Sequence, residues 1–440
     1  MPNTDMPCDT NHSQSLEINQ LFGIDPNEIQ FPSTGFKTIT KDKFGHQVIL
    51  LQGYAPFNET KCPSCGGKNM IKHGTSVATI RLLETNGYKT ALRATKQRVL
   101  CKGCQHTALP QLSFIKKGCN ISENIRRKIL MELTKNISMK DLAQQVNVSP
   151  STVVRVLDKD LPTPRKHKSY LPHHLSFDEF NAGNGSPNAM SFIFSDAKTH
   201  RPMDILPDRK LQFLTHYFLQ YPESVRLQVK TVTMDIYSPY MILVSKVFPN
   251  AKIILDRFHI IQHWARAFTK VRIEIMNQLN KGNSEDKKGY RRIKRYWKLL
   301  IKNRFELKQS EYKNYPLFEG LLNQSQVVDQ LLSYSDTLKK AYDIYQEGLF
   351  IFKRLSKYPL DHLLSYKLEG ALRHFNRPLK TFNKYKEFIL NAYSYSYNNG
   401  HLEAWNNQIK TIKKTAYGFR NFEHLKKRCF LKMNRLSVAV

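Results

Sequence analysis

No run of 18 or more apolar residues occurs in the 440-residue chain, so no transmembrane helix is expected. The opening text, MPNTDMPCDTNHSQSLEINQ, lacks the basic start and apolar stretch of a secretory leader. The expected location is the cytoplasm, where thiols stay reduced. Disulfides are also unexpected: seven cysteines is an odd count for a disulfide framework. Acid is scarce, with 36 Asp+Glu against 68 Lys+Arg and a formal charge of +32. A pI near 9.8 calls for a polyanionic partner, and without a membrane segment that partner is nucleic acid rather than a lipid surface.

A hydrophobic content of 41% over this length supports two to four domains with real cores. Residues 1–45 are polar and aperiodic and are expected to form a flexible lead. Strand-like text (QVILLQGY, ATIRLLET, QRVL) then surrounds two pairs, Cys62-x-x-Cys65 and Cys101-x-x-Cys104. Each CxxC makes a tight knuckle, and two knuckles complete a closed tetrahedral Zn²⁺ site, so residues 46–112 should form a zinc ribbon. His73 and His106 lie nearby and are expected on the surface.

Residues 118–160 have the pattern of a helix-turn-helix. Ile125, Ile129 and Leu133 share one helical face; Leu142, Ala143 and Val146 face inward on a second helix. Ser149-Pro150 restarts a third as N-cap and first-turn proline. Val153, Val156 and Leu157 then point to the core, leaving Ser151, Thr152 and Arg155 exposed to a major groove. A Pro-rich basic linker is expected over 161–174.

Strands followed by strand–helix alternation (HLSFDEF, MSFIFSDAKTHRPMDILPDR, VKTVTMDIYSPY, AKIILDRFHII) indicate a mixed sheet in an α/β domain over 175–264. Residues 265–390 read as helical. Within them KKGYRRIKRYWKLLIKNR carries nine bases and no acid, with Tyr290, Tyr296 and Trp297 interleaved. Bases with aromatics suit a phosphate-bearing surface, or else a solvated helix whose aromatics pack inward.

Three acids stand out. Asp178 and Asp235 end expected strands, where ligands gather in α/β sheets. Glu403 begins a helix whose apolar stripe is Leu402, Trp405, Ile409, Ile412 and Ala416. Asn406, Asn407, Lys410 and Lys414 share its flank, placed to meet phosphates. Three carboxylates together need a cation, and Mg²⁺ (or Mn²⁺) is the hard ion that oxygen donors select.

DEF at 178–180, DAKTHRPMDILPDR, TMD at 233–235, DRFHIIQ at 256–262 and GHLEAWNNQIKTIKKTAYGFRNF resemble the ISL-three family of bacterial insertion-sequence transposases, over about residues 45–435. The resemblance implies a multidomain α+β chain. Its zinc ribbon and helix-turn-helix would precede an α/β RNase H-like catalytic core with a large all-helical insertion at 265–390, and 391–440 would return to the core. It implies a DDE triad of Asp178, Asp235 and Glu403, with Asp256 and His259 as auxiliary residues and Asp196 and Asp208 in structural roles. The expected activity is metal-dependent hydrolysis and strand transfer at terminal inverted repeats. The expected partners are double-stranded DNA, both element ends and target, and a second copy of the chain in a dimer or larger assembly on the nucleoid. The rival readings are a catalytically silent DNA-binding regulator and an RNase H-like nuclease.

Overall fold

Strand pairing begins earlier than the sequence reading placed it. The computed structural model describes residues 18–32, 34–42, 45–161, 168–354 and 357–433. Residues 1–17 of the expected lead and 162–167 of the expected linker lie outside these. Within the described part of the lead, β1 (Lys37–Lys41) pairs antiparallel with β2 (Gln47–Ala55). Phe22, Ile24 and Ile29 are buried in the same core as Leu51, Ile80 and Leu92. Residues 18–41 are therefore part of the β-domain rather than a loose lead. Three well-spaced apolar side chains suffice to anchor them, a signal too sparse to show as periodicity.

β3 (Met70–Thr85) and β4 (Tyr88–Cys101) form a long hairpin. Asn86 (φ 50°) and Gly87 (φ 78°) make its two-residue turn, the left-handed pair that matches strand twist. β4 also pairs with β2 and with β5 (Thr107–Ala108).

Three helices follow: α1 (Glu123–Leu133), α2 (Met139–Gln145) and α3 (Pro150–Asp160). Ser122, Ser138 and Ser149 cap them, each accepting a backbone N–H three residues on. Asn147 takes φ 55° in the turn before α3. The nine apolar residues assigned to this core from the sequence are all buried.

The chain divides into two units, residues 1–165 with 408–440, and residues 166–407. The second is built on a five-stranded sheet in the order β10-β9-β6-β7-β8. β6 (His174–Asn181), β7 (Met190–Asp196) and β8 (Pro202–Leu206) are antiparallel neighbours. Helices α4 (Leu211–Leu219) and α5 (Glu223–Leu227) lead to β9 (Thr231–Met234), which runs parallel to β6. Helix α6 (Ser238–Val247) crosses to β10 (Lys252–Leu255), parallel to β9.

The expected helical stretch follows as α7 (Arg257–Leu279), α8 (Ser284–Leu300), α9 (Gln324–Leu332), α10 (Asp336–Arg354), α11 (Lys357–Leu364), α12 (Asn376–Lys384) and α13 (Lys386–Ser394). On α8 the interleaved aromatics serve packing. Tyr290 and Tyr296 lie against the apolar core, and the Tyr296 hydroxyl donates to Pro316 O at 2.7 Å. Arg292 is buried, its Nε donating to Leu317 O at 2.7 Å.

α14 (Gly400–Thr415) carries Glu403, and the division between the units falls within it, after Asn407. α15 (Phe422–Lys432) closes the described chain and belongs with the first unit, not with the five-stranded sheet of the second as expected for 391–440. Leu431 enters the helix-turn-helix core. Arg428, 1% exposed, donates from Nη2 to Lys135 O and Ile137 O, both at 3.1 Å. Lys427 and His424 both meet the Asp158 carboxylate at 3.0 Å. The basic C-terminal run is thus largely spent on holding the third and first helices, a pairing nearly 270 residues apart that no local pattern reveals.

Candidate active site, metal centre and DNA-reading helix

Strand register brings three aspartates level. Ser176 pairs with Thr233, so two residues on, Asp178 stands opposite Asp235. Leu255 pairs with Met234, which sets Asp256 beside Asp235, and the Asp256 N–H donates to Met234 O at 2.9 Å. Neighbouring strands lie about 4.8 Å apart, so these acids crowd the ends of three parallel strands. Asp178 does not end its own strand. β6 runs on to Asn181 because its antiparallel partner β7 continues past the point where β9 stops.

Burial, and then the charge of Asp235, push the Asp178 carboxyl up to about 7. Nδ1 of His259 stands 2.7 Å from Asp235 Oδ1 and 3.1 Å from Asp256 Oδ2. Its one N–H is aligned with Asp256, and Asp235 Oδ1 is buried without a hydrogen bond. Burial alone would lower the His259 pKa, but the two carboxylates outweigh it and hold it near 10.

α14 reaches this row through two asparagines. Asn399 Nδ2 donates to Phe177 O at 2.9 Å, and Asn406 Nδ2 donates to Asp178 Oδ2 at 2.8 Å and to Glu179 O at 3.2 Å. Glu403 lies between them in sequence, four residues after one and three before the other, so one helical turn separates it from each. Its side chain is exposed. Asn406 was expected on the DNA-facing flank. It is instead 8% exposed and orients Asp178, a role visible only once the helix is docked on β6. Lys410 and Lys414 are exposed as expected.

Oxygen donors predominate here. The amide oxygens of Asn399 and Asn406 are buried with no donor, while Asp235 Oδ1 is met by His259 alone. A hard cation fits such a set: it would satisfy the orphaned oxygens and let Asp178 ionise beside Asp235. The cluster Asp235, Asp256 and His259 has ligand atoms within 4.8 Å of one another. Asp196 and Asp208 turn to local work, accepting from Lys198 N and Lys210 N in their loops.

The four ribbon cysteines form a second centre. Cys62 Sγ is 3.6 Å from Cys104 Sγ, and Cys65 Sγ is 3.7 Å from Cys101 Sγ. A tetrahedron with Zn–S bonds of about 2.3 Å has edges of about 3.8 Å. The two knuckles repeat one geometry: the N–H four residues after Cys62 and after Cys101 returns to that cysteine's carbonyl at 2.9 Å. Backbone N–H groups of Cys65 and Ser64 lower the Cys62 thiol to about 7. At Cys104 an N–H from His106 pulls the same way, but Cys65 and burial outweigh it and raise that thiol to about 12. Four thiolates at this spacing need a cation, and the donor set fits a closed structural zinc site.

On α3, Ser151 and Arg155 are exposed and Thr152 is half-buried. Ser149 Oγ, the cap, lies 2.8 Å from Ser151 Oγ and 2.9 Å from Thr152 Oγ1. Thr152 and Arg155 line a 970 Å³ cleft with Lys159, Arg81 and Lys89, and the β-domain also brings Asp42 there, which pairs with Lys89 at 2.8 Å.

Comparison with known proteins places each part in the same class. Residues 58–104 match the zinc-finger of transposases IS204/IS1001/IS1096/IS1165, and residues 110–160 match the helix-turn-helix domain of transposase family ISL3. Both are parts of DNA-transposing proteins. Residues 175–429 match the transposase model of that family, and the chain belongs to transposase family ISL3. It is 24% identical over 366 residues, 82% of this chain and 86% of the relative, to the transposase for insertion sequence element IS1001 of Bordetella parapertussis. A shorter segment of 114 residues, 25% of this chain and 36% of the relative, is 37% identical to an ATP-dependent protease of Lactococcus lactis subsp. lactis. The chain has no GxxxxGK[ST] phosphate loop that would suit that relative's nucleotide. Among the described residues no helix is long and apolar enough to cross a membrane.

Proposed function

We propose that the chain is a DDE-type transposase. In this reading the second unit is an RNase H-like catalytic core, and the first recognises the terminal inverted repeats of the chain's own insertion sequence. The observation that carries the reading is the level row of Asp178, Asp235 and Asp256 across three parallel strand ends, with α14 docked on it through Asn399 and Asn406. Asp178, Asp235 and Glu403 would hold Mg²⁺. A bound pair of such ions supplies charge stabilisation to the attacking and leaving oxygens of an in-line displacement at phosphorus.

The chain's own groups prepare that chemistry. Asn406 fixes the Asp178 carboxylate. His259, held by Asp256, keeps a positive edge against Asp235 and limits its rotamers. Arg155 and its neighbours on α3 read the element end, while Lys410 and Lys414 stand ready for phosphates. Each end is hydrolysed to free a 3′-OH, which then attacks target DNA by transesterification. Two ends must be processed together, so the working form is a dimer or larger assembly.

The test uses purified chain and labelled duplexes carrying the ends that flank its gene. With Mg²⁺ or Mn²⁺ the wild type should cut at the ends and join them to target, while Glu403→Gln binds with unchanged affinity and does neither. Equal binding with no cutting by wild type would favour the regulator. Cutting without joining would favour the nuclease. Arg155→Ala should weaken binding to the ends by about 1–3 kcal/mol and leave random DNA nearly unaffected; equal losses on both would move recognition off α3.

A further inference from the structure

Beside the aspartate row lies a cleft of 1110 Å³ within the second unit. One wall is the segment directly after Asp235, with Tyr237 and Ser238. The other walls are α7 and α12. α7 presents His263, Arg266 and Lys270, spaced three and four residues apart on one helical face. α12 presents Arg377, Lys380 and Lys384 in the same three–four spacing. No carboxylate lines the cleft. Nearby Glu274 is committed to His374 at 2.7 Å and Arg373 at 3.2 Å.

Elsewhere on this unit exposed cations pair with acids, as in Lys308–Glu311, Lys353–Glu306 and Arg304–Asp343. Lys270, Arg377 and Lys380 have no acidic partner among the described residues. Burial, and then the charge of Arg266, lower the His263 pKa, as an uncompensated positive field would. Tyr237 and Tyr385 are half-buried at the rim, and Lys384 Nζ sits 5.0 Å from the Tyr385 ring centroid.

We infer that this cleft is a second DNA site, one that holds the sugar–phosphate backbone next to the scissile bond, separate from the helix-turn-helix that reads sequence. The inference rests on the transposase reading for the identity of its polyanion. Seven residues of α7 span about 10 Å, the rise of roughly three phosphates along one strand. Two such cationic rows face one backbone, and the wall after Asp235 ties that backbone to the catalytic acids. Cationic rows of this kind engage phosphates, which carry no sequence information, so binding here is independent of sequence and acts by position. The basic run of α8 is not this surface, since its Tyr290 and Tyr296 pack against the core and its Trp297 lies under the Arg272 guanidinium.

The experiment compares full-length wild type with Arg377→Ala/Lys380→Ala on two duplexes, with Ca²⁺ in place of Mg²⁺ so that binding is read without turnover. One duplex contains only the end segment bound by the helix-turn-helix. The other continues through the cleavage point into flanking DNA. On the longer duplex the variant should bind on the order of tenfold or more weakly at 0.1 M salt, and the slope of log K against log salt should shrink by about two. On the shorter duplex its affinity should match wild type, which also shows that the variant is folded. Equal affinity and slope on both duplexes would overturn the cleft as a DNA site, as would equal losses on both. Parallel reactions with Mg²⁺ separate the two claims: failure of wild type to cut would sink the transposase reading while the Ca²⁺ comparison still decides the cleft.

Discussion

Asp178→Asn is expected to lower end cleavage by a factor of about 10³ or more and at the same time to make the metal-free protein more stable above pH 7. The two effects share one cause. Folding moves Asp178 from the ordinary carboxylate range to about 7, chiefly by burial and next by the charge of Asp235. A group whose folded pKa is raised favours the folded state while protonated. Its contribution therefore falls as pH rises from about 4 through 7 and stays lost above that. The penalty at pH 8 is on the order of 4 kcal/mol. Asparagine keeps an acceptor for Asn406 and removes the charge, so the penalty disappears together with the metal-binding oxygen. A thermal melt without metal at pH 8 should rise by several degrees. Added Mg²⁺ should stabilise wild type and leave the variant unmoved. A variant less stable than wild type at pH 8, or one that still cuts, would contradict the assignment of Asp178.

Loss of zinc is expected to unfold the β-domain. Cys101 ends β4, the strand that pairs with β2, β3 and β5, so the metal fastens the most connected strand of the sheet to the Cys62 knuckle. Structural zinc supplies on the order of 10 kcal/mol or more, comparable with the whole stability of a domain. Metal analysis should find about one zinc per chain. Cys101→Ser should lose it, with early melting and loss of strand signal in the first unit. Cys119→Ser, which replaces a thiol outside the four-sulfur cluster, should retain the metal. A stable, zinc-free Cys101→Ser protein would remove the structural role.

Much of this was legible in the residues. CxxC pairs and the Ser-Pro restart of α3 are local chemistry, and local chemistry survives tertiary context. Asp235 at a strand end was legible too, because strand and helix alternation leaves only a few such ends; Asp178 was not, since β6 runs on past it to Asn181. Other features depend on contacts distant in sequence. Asn406 looked like a DNA-facing residue because helix periodicity fixes a flank but not the element it meets, and that element proved to be β6. Lys426, Lys427 and Arg428 stand in a strongly basic stretch, yet all three are buried. Charge counts cannot distinguish a cation facing solvent from one capping backbone carbonyls. Residues 18–41 looked loose because a short edge strand announces itself only through its partner.

The helix-turn-helix is completed by α15, whose Arg428 bonds the turn after the first helix, whose His424 and Lys427 hold Asp158 of the third, and whose Leu431 enters the shared core. A ribosome adding about 5–20 residues per second delivers that last piece roughly ten seconds to a minute after the three helices themselves have been made. Until then the carbonyls of Lys135 and Ile137 and the site for Leu431 stay uncovered. A chain stopped before α15 thus lacks part of its helix-turn-helix domain, and assembly of that domain waits for α15 to be made. The domain is therefore completed only after residues 166–407, the whole of the second unit, have been made.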